Sequence, residues 1–482
     1  VSKALKVLIV EDEADFHSYI TKILNELDAN IESFVVESRD DAIAVLSSGE
    51  LFFDFISLDL KLPVTVNEFS KTPDNGLAVL AACNKYCPGT PVLILTGSST
   101  VKMIQQFLAK SHVEELWADG IKRSTIDHLP KEDVDQLGSI FESIYRSVES
   151  LSEIELIYRD GLDIPIKHDR LLRTFIKSQV GVSAEVKAIG GGLSDAKVYA
   201  LTIFDLGGHV ILRSVAKCGN LTDIEEDSKN YDRYINRLPP DVTPRKLRLI
   251  NFGAQDAGGV FYGLASGYDS SFFAAAFDEK MGQEVFAQIK SMTNSWLQAV
   301  ATEYVSVADI RRGFLCDDVA FGLIEDYELS WAIDFERNML HSKKSIVHGD
   351  LHGENILVDV DSNKGTLIDY GDIFYGSPVM DPLTLECSFL FHPDGLDGQS
   401  GSGWPSLEQL SSWADIESYV LGSPIENEIR FCRAWIDEAK MGNRELAACL
   451  YSYSLRQLKY AQTNKEFALS LLNTAKSVYR ST

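Results

Sequence analysis

Short, nearly continuous apolar runs that each end on an acid or a hydroxyl constrain the first 130 residues more than any other feature. Val7–Val10 runs into Glu11 and Asp12, Phe53–Leu58 into Asp59, and Val92–Leu95 into Thr96. Between the first two runs, Tyr19–Leu27 places its apolar residues at helical spacing. Strands that are apolar along their length are buried on both faces, as parallel strands are when helices cover them. The pattern predicts a doubly wound α/β domain. In such sheets chemistry gathers in the crevice beyond the carboxyl ends of the strands, where Glu11, Asp12, Asp59 and Thr96 fall.

Carboxylates converging on one crevice offer the oxygen ligands that a hard cation such as Mg2+ takes, and phosphorylation of a carboxylate needs such a cation to neutralise the phosphoryl oxygens. From residue 1 to about residue 145 the chain resembles the response-regulator receiver domain. The matching pieces are VLIVEDE, SLDLKLP, Asp74-Asn75-Gly76-Leu77 in place of the usual Asp-Gly turn, and LILTGSS. The resemblance implies a five-stranded flavodoxin-like parallel sheet, Asp59 as phosphoacceptor, and Glu11, Asp12 and Asp59 as Mg2+ ligands. It further implies that Thr96 contacts the phosphoryl group, that a Lys near a Pro pairs with it, and that a histidine kinase is the phosphodonor. Lys131, in His128-Leu129-Pro130-Lys131, fits that Lys best. It comes late after Thr96, so Lys122 is a second candidate. An extra stretch, Val64–Pro73, also departs from the family pattern.

From Val134 the apolar positions advance through Leu137, Phe141, Ile144, Val148 and Leu151, in steps of 3, 4, 3, 4 and 3. That heptad seam is shorter than the roughly three or four repeats that argue for a coiled coil. Two readings stand. One is a last helix packed on its own sheet; the other is a helical connector that pairs two protomers as a homodimer.

The second half opens with strand-like pieces, Glu185–Ile189, Lys197–Phe204 and Val210–Ala216, the first two flanking Gly190-Gly191-Gly192. After Phe272 it becomes largely helical, with HGDLHGEN at 348–355 and Leu367-Ile368-Asp369-Tyr370-Gly371 beyond it. Phosphoryl transfer from ATP requires a base to orient the acceptor hydroxyl, metal-holding acid or amide side chains, and a Lys on the phosphates. Asp350 and Asn355 have the Asp-to-Asn spacing of the kinase catalytic loop, and an apolar strand delivers Asp369 before a Gly.

Over residues 185–390 the wording HGDLHGENILVD and LIDYGD resembles the aminoglycoside and choline phosphotransferase branch of the kinase fold, with the ternary-complex-associated domains of bacterial signalling proteins nearest. Gly376-Ser377-Pro378 and Asp381-Pro382 add to the resemblance. It implies an α+β bilobal kinase-like domain in which Asp350 is the catalytic base, Asn355 and Asp369 hold Mg2+, and His348 supports the loop. Gly190, Gly191 and Gly192 would cover the phosphates of ATP, and Tyr262 and Leu264 would form the hinge at adenine. Lys217, at the end of the third strand, would grip the phosphates and pair with a helix acid, Glu226 in preference to Glu225. The organisation expected is a receiver at 1–133, a helical connector at 134–165, a kinase-like N-lobe at 166–265 and a helical C-lobe at 266–482.

The net charge of -26 argues against a nucleic-acid partner, since no excess of cations is present to neutralise phosphates. No apolar run approaches the roughly 20 residues that cross a membrane, and the acidic turn of VSKALKVLIVEDE is unlike a signal peptide, so the cytoplasm is expected. Seven cysteines without a CxxC pair read as reduced thiols. The function expected is a two-component signalling protein whose receiver controls an ATP- and Mg2+-dependent phosphotransferase. The alternative is a catalytically inactive module that binds nucleotide or a partner. The acceptor substrate is not legible; Trp404, Trp413 and Trp435 fit core packing better than a pocket.

Overall fold

The computed structural model describes residues 5–66, 68, 70–97, 105, 108–109, 111–159, 161–189, 196–238, 243–264, 267–278, 281–293, 296, 301–396 and 403–481. The chain forms two compact units. In the first, β1 (Lys6–Val10), β2 (Glu32–Val36), β3 (Phe55–Asp59), β6 (Val92–Thr96) and β9 (Ile126–Pro130) lie parallel in the order β2-β1-β3-β6-β9. Successive β1 residues point to opposite faces. Leu8 and Val10 pack with Leu46 of α2 (Arg39–Ser48) and Leu80 of α3 (Pro73–Tyr86). Val7 and Ile9 pack with Leu24 of α1 (Ala14–Leu27) and with α4 (Leu137–Ser152).

That second face decides between the two readings of the heptad seam. Leu137, Phe141, Ile144, Val148 and Leu151 are all buried in the core of this domain. The stripe needed to pair two protomers is therefore already covered, and the connector reading of 134–165 is corrected. The stretch divides instead: α4 closes the first domain, and β10 (Glu155–Tyr158) opens the next sheet.

Two insertions shape the first domain. The extra stretch after Pro63 folds back as a short hairpin, β4 (Leu62–Pro63) against β5 (Lys71–Thr72). Asp74-Asn75-Gly76 then lies in the first turn of α3 rather than in a free turn, behind Pro73, whose missing N–H suits a helix start. Residue 76 must be Gly, because a Cβ there would lie 2.3 Å from Leu60 Cα. A second hairpin, β7 (Val113–Glu114) with β8 (Arg123–Ser124), delays Lys131 in the sequence. Its Trp117 is buried in the core, and Arg123 lies 5.3 Å from that ring.

The second sheet of this unit is mixed, in the order β10-β11-β12-β13-β15-β14, with β11 (Ser183–Ile189), β12 (Lys197–Phe204), β13 (Val210–Asn220), β14 (Arg245–Ile250) and β15 (Ala257–Gly263). Helix α5 (Ile166–Ser178) packs on it, and α6 (Leu221–Tyr234) follows β13. The two sheets are fastened where β3 and β6 begin. Arg170 of α5 forms a buried 2.8 Å ion pair with Asp54, which also accepts from the Lys6 amide at 3.0 Å. Gln255, in the left-handed region at φ 59, donates from Nε2 to the Leu51 carbonyl at 2.9 Å. The Gly89 amide donates to the Gln255 carbonyl at 2.6 Å, and the Gly253 amide to the Gly89 carbonyl at 2.7 Å. The same β14–β15 turn reaches α6: Asn251 Nδ2 donates to Glu225 Oε1 at 3.3 Å and the Leu221 amide to the Asp256 carbonyl at 2.7 Å.

The second unit is less purely helical than its composition suggests. β17 (Ala301–Ser306), β18 (Met339–Val347) and β21 (Phe374–Gly376) form one antiparallel sheet. β16 (Tyr268–Ser271), β19 (Ile356–Asp359) and β20 (Lys364–Leu367) form another. Helices α7 (Met380–Phe391), α8 (Glu426–Ala439), α9 (Asn443–Gln457) and α10 (Lys465–Arg480) make the main body. Trp404, Trp413 and Trp435 are buried here, and the Arg433 guanidinium, paired with Glu386, stacks 3.5 Å from the Trp413 ring. They are core residues. Among the described residues no helix is long and apolar enough to cross a membrane.

Candidate functional sites

The parallel sheet delivers the acidic residues to one edge. Glu11 continues β1, its amide bonded to the Val36 carbonyl at 3.0 Å, and Asp59 ends β3. Glu11, Asp12 and Asp59 each present an oxygen, all within 4.8 Å of one another. Lys131, just past β9, donates to Glu11 Oε2 and Asp59 Oδ2, both at 2.9 Å. Lys122 is exposed in the β7–β8 connection, so the structure brings Lys131 and not Lys122 to Asp59. Thr96 ends β6 and is buried.

Burial pushes the Glu11 carboxyl up to about 7, with the Asp59 charge adding and Lys131 opposing. Such crowding of carboxylates is relieved by a divalent cation. The donor set fits one: Asp12 Oδ1 is buried without a hydrogen-bond donor. Lys71, from the β4–β5 hairpin, forms an ion pair with the other Asp12 oxygen.

In the second unit HGDLHGEN links β18 to β19. Asp381, in the first turn of α7, accepts from the His348 amide at 2.8 Å and the Gly349 amide at 3.0 Å. Gly349 has φ 84, and a Cβ there would lie 2.1 Å from the Asp372 carbonyl oxygen. His348 Nε2 sits 3.0 Å from the Ile368 carbonyl, and Asn355 Nδ2 donates to the Asp350 carbonyl at 2.7 Å. The Ile368 amide donates to the Asn355 carbonyl at 3.0 Å, which ties the loop to the segment bearing Asp369. Asp369 itself is left-handed, φ 62, a conformation that non-glycine residues adopt mostly where function or a turn demands it. The bonds thus hold Asp350, Asn355 and Asp369 in one constellation.

Residues 7–116 match the family model for the response regulator receiver domain, and residues 294–392 that for the phosphotransferase enzyme family. The chain thus carries a receiver-type stretch followed by a stretch similar to the phosphotransferase enzyme family. Similar solved structures include the receiver domain of a sensor histidine kinase from Pseudomonas aeruginosa with magnesium in its active site cleft, at 17% identity, covering 30% of this chain and 98% of that one, TM-score 0.21. An aminoglycoside-3'-phosphotransferase of type VIII is 16% identical, covering 56% and 100%, TM-score 0.32. A Plasmodium vivax ethanolamine kinase is 13% identical, covering 67% and 93%, TM-score 0.34. A search of the curated proteins gave no match.

The remaining expected residues of the phosphotransferase domain are placed unevenly. Gly190, Gly191 and Gly192 lie outside the described residues. Lys217 stands within β13, opposite Val198 and Val260, rather than at its end. Tyr262 is buried in β15, and Leu264 follows that strand. The preference for Glu226 is corrected. On α6 the residues Ile224, Asp227, Ser228 and Tyr231 are buried, a spacing of one helix face, so Glu226 projects to solvent while Glu225 is half-buried against Asn251. The buried acid of this helix is Asp227, which the sequence reading passed over.

Sequence reasoning also missed a residue that pairs with the Asp350 carboxylate. Arg456, on α9, donates from Nη2 to Asp350 Oδ1 at 3.0 Å. Burial would raise the Asp350 carboxyl, but Arg456 first and the neighbouring His352 and His348 then hold it below its ordinary value.

Proposed function

We propose that this signalling protein accepts a phosphoryl group on Asp59 from a histidine kinase, and that the phosphorylated receiver controls ATP- and Mg2+-dependent transfer to a hydroxyl acceptor at Asp350. Glu11, Asp12 and Asp59 would hold Mg2+ in the receiver, which supplies neutralisation of phosphoryl charge there. Lys131 stabilises the negative charge on Asp59 and Thr96 stands at the next strand end. In the phosphotransferase domain Asn355 and Asp369 would hold Mg2+, Asp350 orients the acceptor and takes its proton, and Lys217 positions phosphates. Asp381 and His348 keep the loop in shape.

The observation that carries the link between the sites is the fastening of the receiver to the N-lobe sheet through Gln255, with Asn251 of the same turn on Glu225 of α6. A ligand-driven switch requires two states that phosphorylation favours unequally. A shift of that turn would convey the bias. The test treats the full chain with beryllofluoride, a phosphoryl mimic, and measures ATP affinity and turnover. A response in the wild type that vanishes in Asp59→Ala supports the reading; identical values in both overturn it.

A second reading rests on one contact. Asp350 Oδ1 is already engaged by Arg456, which suits a domain that binds nucleotide without transferring phosphate. Asp350→Asn separates the two: a general base is worth about 10²–10⁴ in rate, whereas a binding module loses nothing measurable in nucleotide affinity.

A further inference from the structure

The surroundings of Asp350 carry information about the acceptor, the part of the reaction that the sequence leaves blank. Its Oδ1 faces Arg456 Nη2 at 3.0 Å, and its Oδ2 lies 3.6 Å from His352 Nε2. The side chains of Arg456 and Asp350 are 18% and 27% exposed, so the pair is recessed but reached by solvent. Arg456 Nε is held by the Tyr460 hydroxyl at 3.1 Å, which fixes the guanidinium plane. Among the described residues, Nη1 makes no hydrogen bond. Next to this pair lies a second unsatisfied group. His392, only 7% exposed, has a buried Nε2 without a partner among the described residues, and its ring lies tilted against that of His352, with centroids 4.7 Å apart. Buried polar atoms are usually paired, with the protein, with ordered water or with an ion.

We propose that Arg456 is the anion receptor of the acceptor site: the acceptor is a small hydroxyl compound bearing a carboxylate or phosphate group, which engages the Arg456 guanidinium while its hydroxyl meets Asp350. The inference deepens the phosphotransfer reading and rests on it. A guanidinium offers a planar fork that matches an oxyanion, and a substrate ammonium group in the same place would meet like charge. Nη1 can meet the anion while Nη2 stays on Asp350 Oδ1, which leaves Asp350 Oδ2 to face the hydroxyl. In the transfer the acceptor oxygen forms a bond to the γ-phosphorus of ATP, the bond from that phosphorus to the bridging oxygen breaks, and the hydroxyl proton passes to Asp350. ADP leaves. An anionic acceptor is thus held with its hydroxyl at Asp350, and water, which carries no charge for Arg456, is disfavoured as a competing acceptor.

The experiment uses the full chain and a charge series of acceptors: glycerate, glycerol 3-phosphate, glycerol and choline. ADP formation with ATP and Mg2+ is followed, and binding of each acceptor without nucleotide is measured by calorimetry. The expected result is kcat/KM for one anionic acceptor at least about tenfold above glycerol and choline, with the glycerate and glycerol 3-phosphate arms telling carboxylate from phosphate. Arg456→Gln should collapse that ratio through KM, and Arg456→Lys should restore part of it. Binding of an anionic probe that Arg456→Gln abolishes, without any ADP formed, would keep the anion receptor while removing the phosphotransfer reading. Preference for glycerol or choline, no anion binding by the wild type, or a preference that survives in Arg456→Gln would each overturn the proposal. The wild-type series decides even if a variant fails to fold.

Discussion

Gly89 and Gln255 meet backbone to backbone: the Gly89 amide donates to the Gln255 carbonyl at 2.6 Å, and a Cβ on residue 89 would lie 2.6 Å from that same oxygen. The contact joins the loop before β6 of the parallel sheet to the turn before β15 of the mixed sheet. It tolerates no side chain.

Gly89→Ala should therefore separate the two sheets locally. Overpacking against backbone costs about 1–3 kcal/mol, so the unfolding midpoint in urea should fall. Hydrogen exchange should quicken over the start of α6, which hangs from the same turn through Asn251 and Asp256. Gly138→Ala is the control, because a Cβ there meets nothing within 4 Å. Equal exchange at α6 in both variants would show that the turn conveys nothing.

Glu11 predicts the pH dependence of the metal-free receiver. Its carboxyl is raised from 4.5 to about 7 by burial and by Asp59. Between those values the folded state holds a proton that the unfolded state has lost, so stability falls as pH rises through this window and levels off above it. The span corresponds to at most about 3 kcal/mol. Mg2+ affinity should rise over the same interval, because the ligand must be ionised. Chemical denaturation at a series of pH values checks this, and Glu11→Gln should flatten the slope. A wild-type profile that is already flat would rule out the perturbed carboxyl.

Lys71 comes from the β4–β5 hairpin and holds one oxygen of Asp12. A cation there competes with a divalent ion for the same ligand. Lys71→Ala should tighten Mg2+ binding about two- to fivefold, a modest change because the ammonium is partly exposed. Calorimetric titration with Mg2+ measures it. Unchanged or weaker binding would mean that the hairpin Lys supports the metal site instead of opposing it.

How much of this was legible follows from the range of each signal. Asp59 and Thr96 were readable because buried parallel strands announce themselves as apolar runs, and their ends form the crevice. Lys131 was partly hidden, since the intervening hairpin has strands of two residues each, too short to carry a period. The seam from Leu137 to Leu151 showed an apolar face but not what would cover it. Glu226 and Asp227 differ by one step on a polar helix, where no apolar pattern sets the phase. Arg456 reaches Asp350 across 106 residues, a contact that leaves no local trace. Gln255 likewise adopts a left-handed turn without the glycine that would have marked it.

The clamp on the HGDLHGEN loop yields the last prediction. Asp381 is buried, and both its oxygens are spent on the amides of His348 and Gly349. Burial raises this carboxyl, yet the two N–H donors and His348 favour its charged form. Asp381→Ala would strand both amides beneath α7, at about 1–3 kcal/mol for each lost partner. Asp381→Asn keeps one acceptor oxygen and should lose roughly half as much. Gly349 makes the loop sensitive to this loss: at φ 84 and close against the Asp372 carbonyl, its conformation is one that few other residues could take. Asp381→Asn should consequently lower ATP turnover more than ATP affinity, because the displaced residue is Asp350 rather than a nucleotide contact. Denaturation curves together with a kcat and KM comparison test both halves. A variant with wild-type stability and turnover would show that the loop keeps its shape without the clamp.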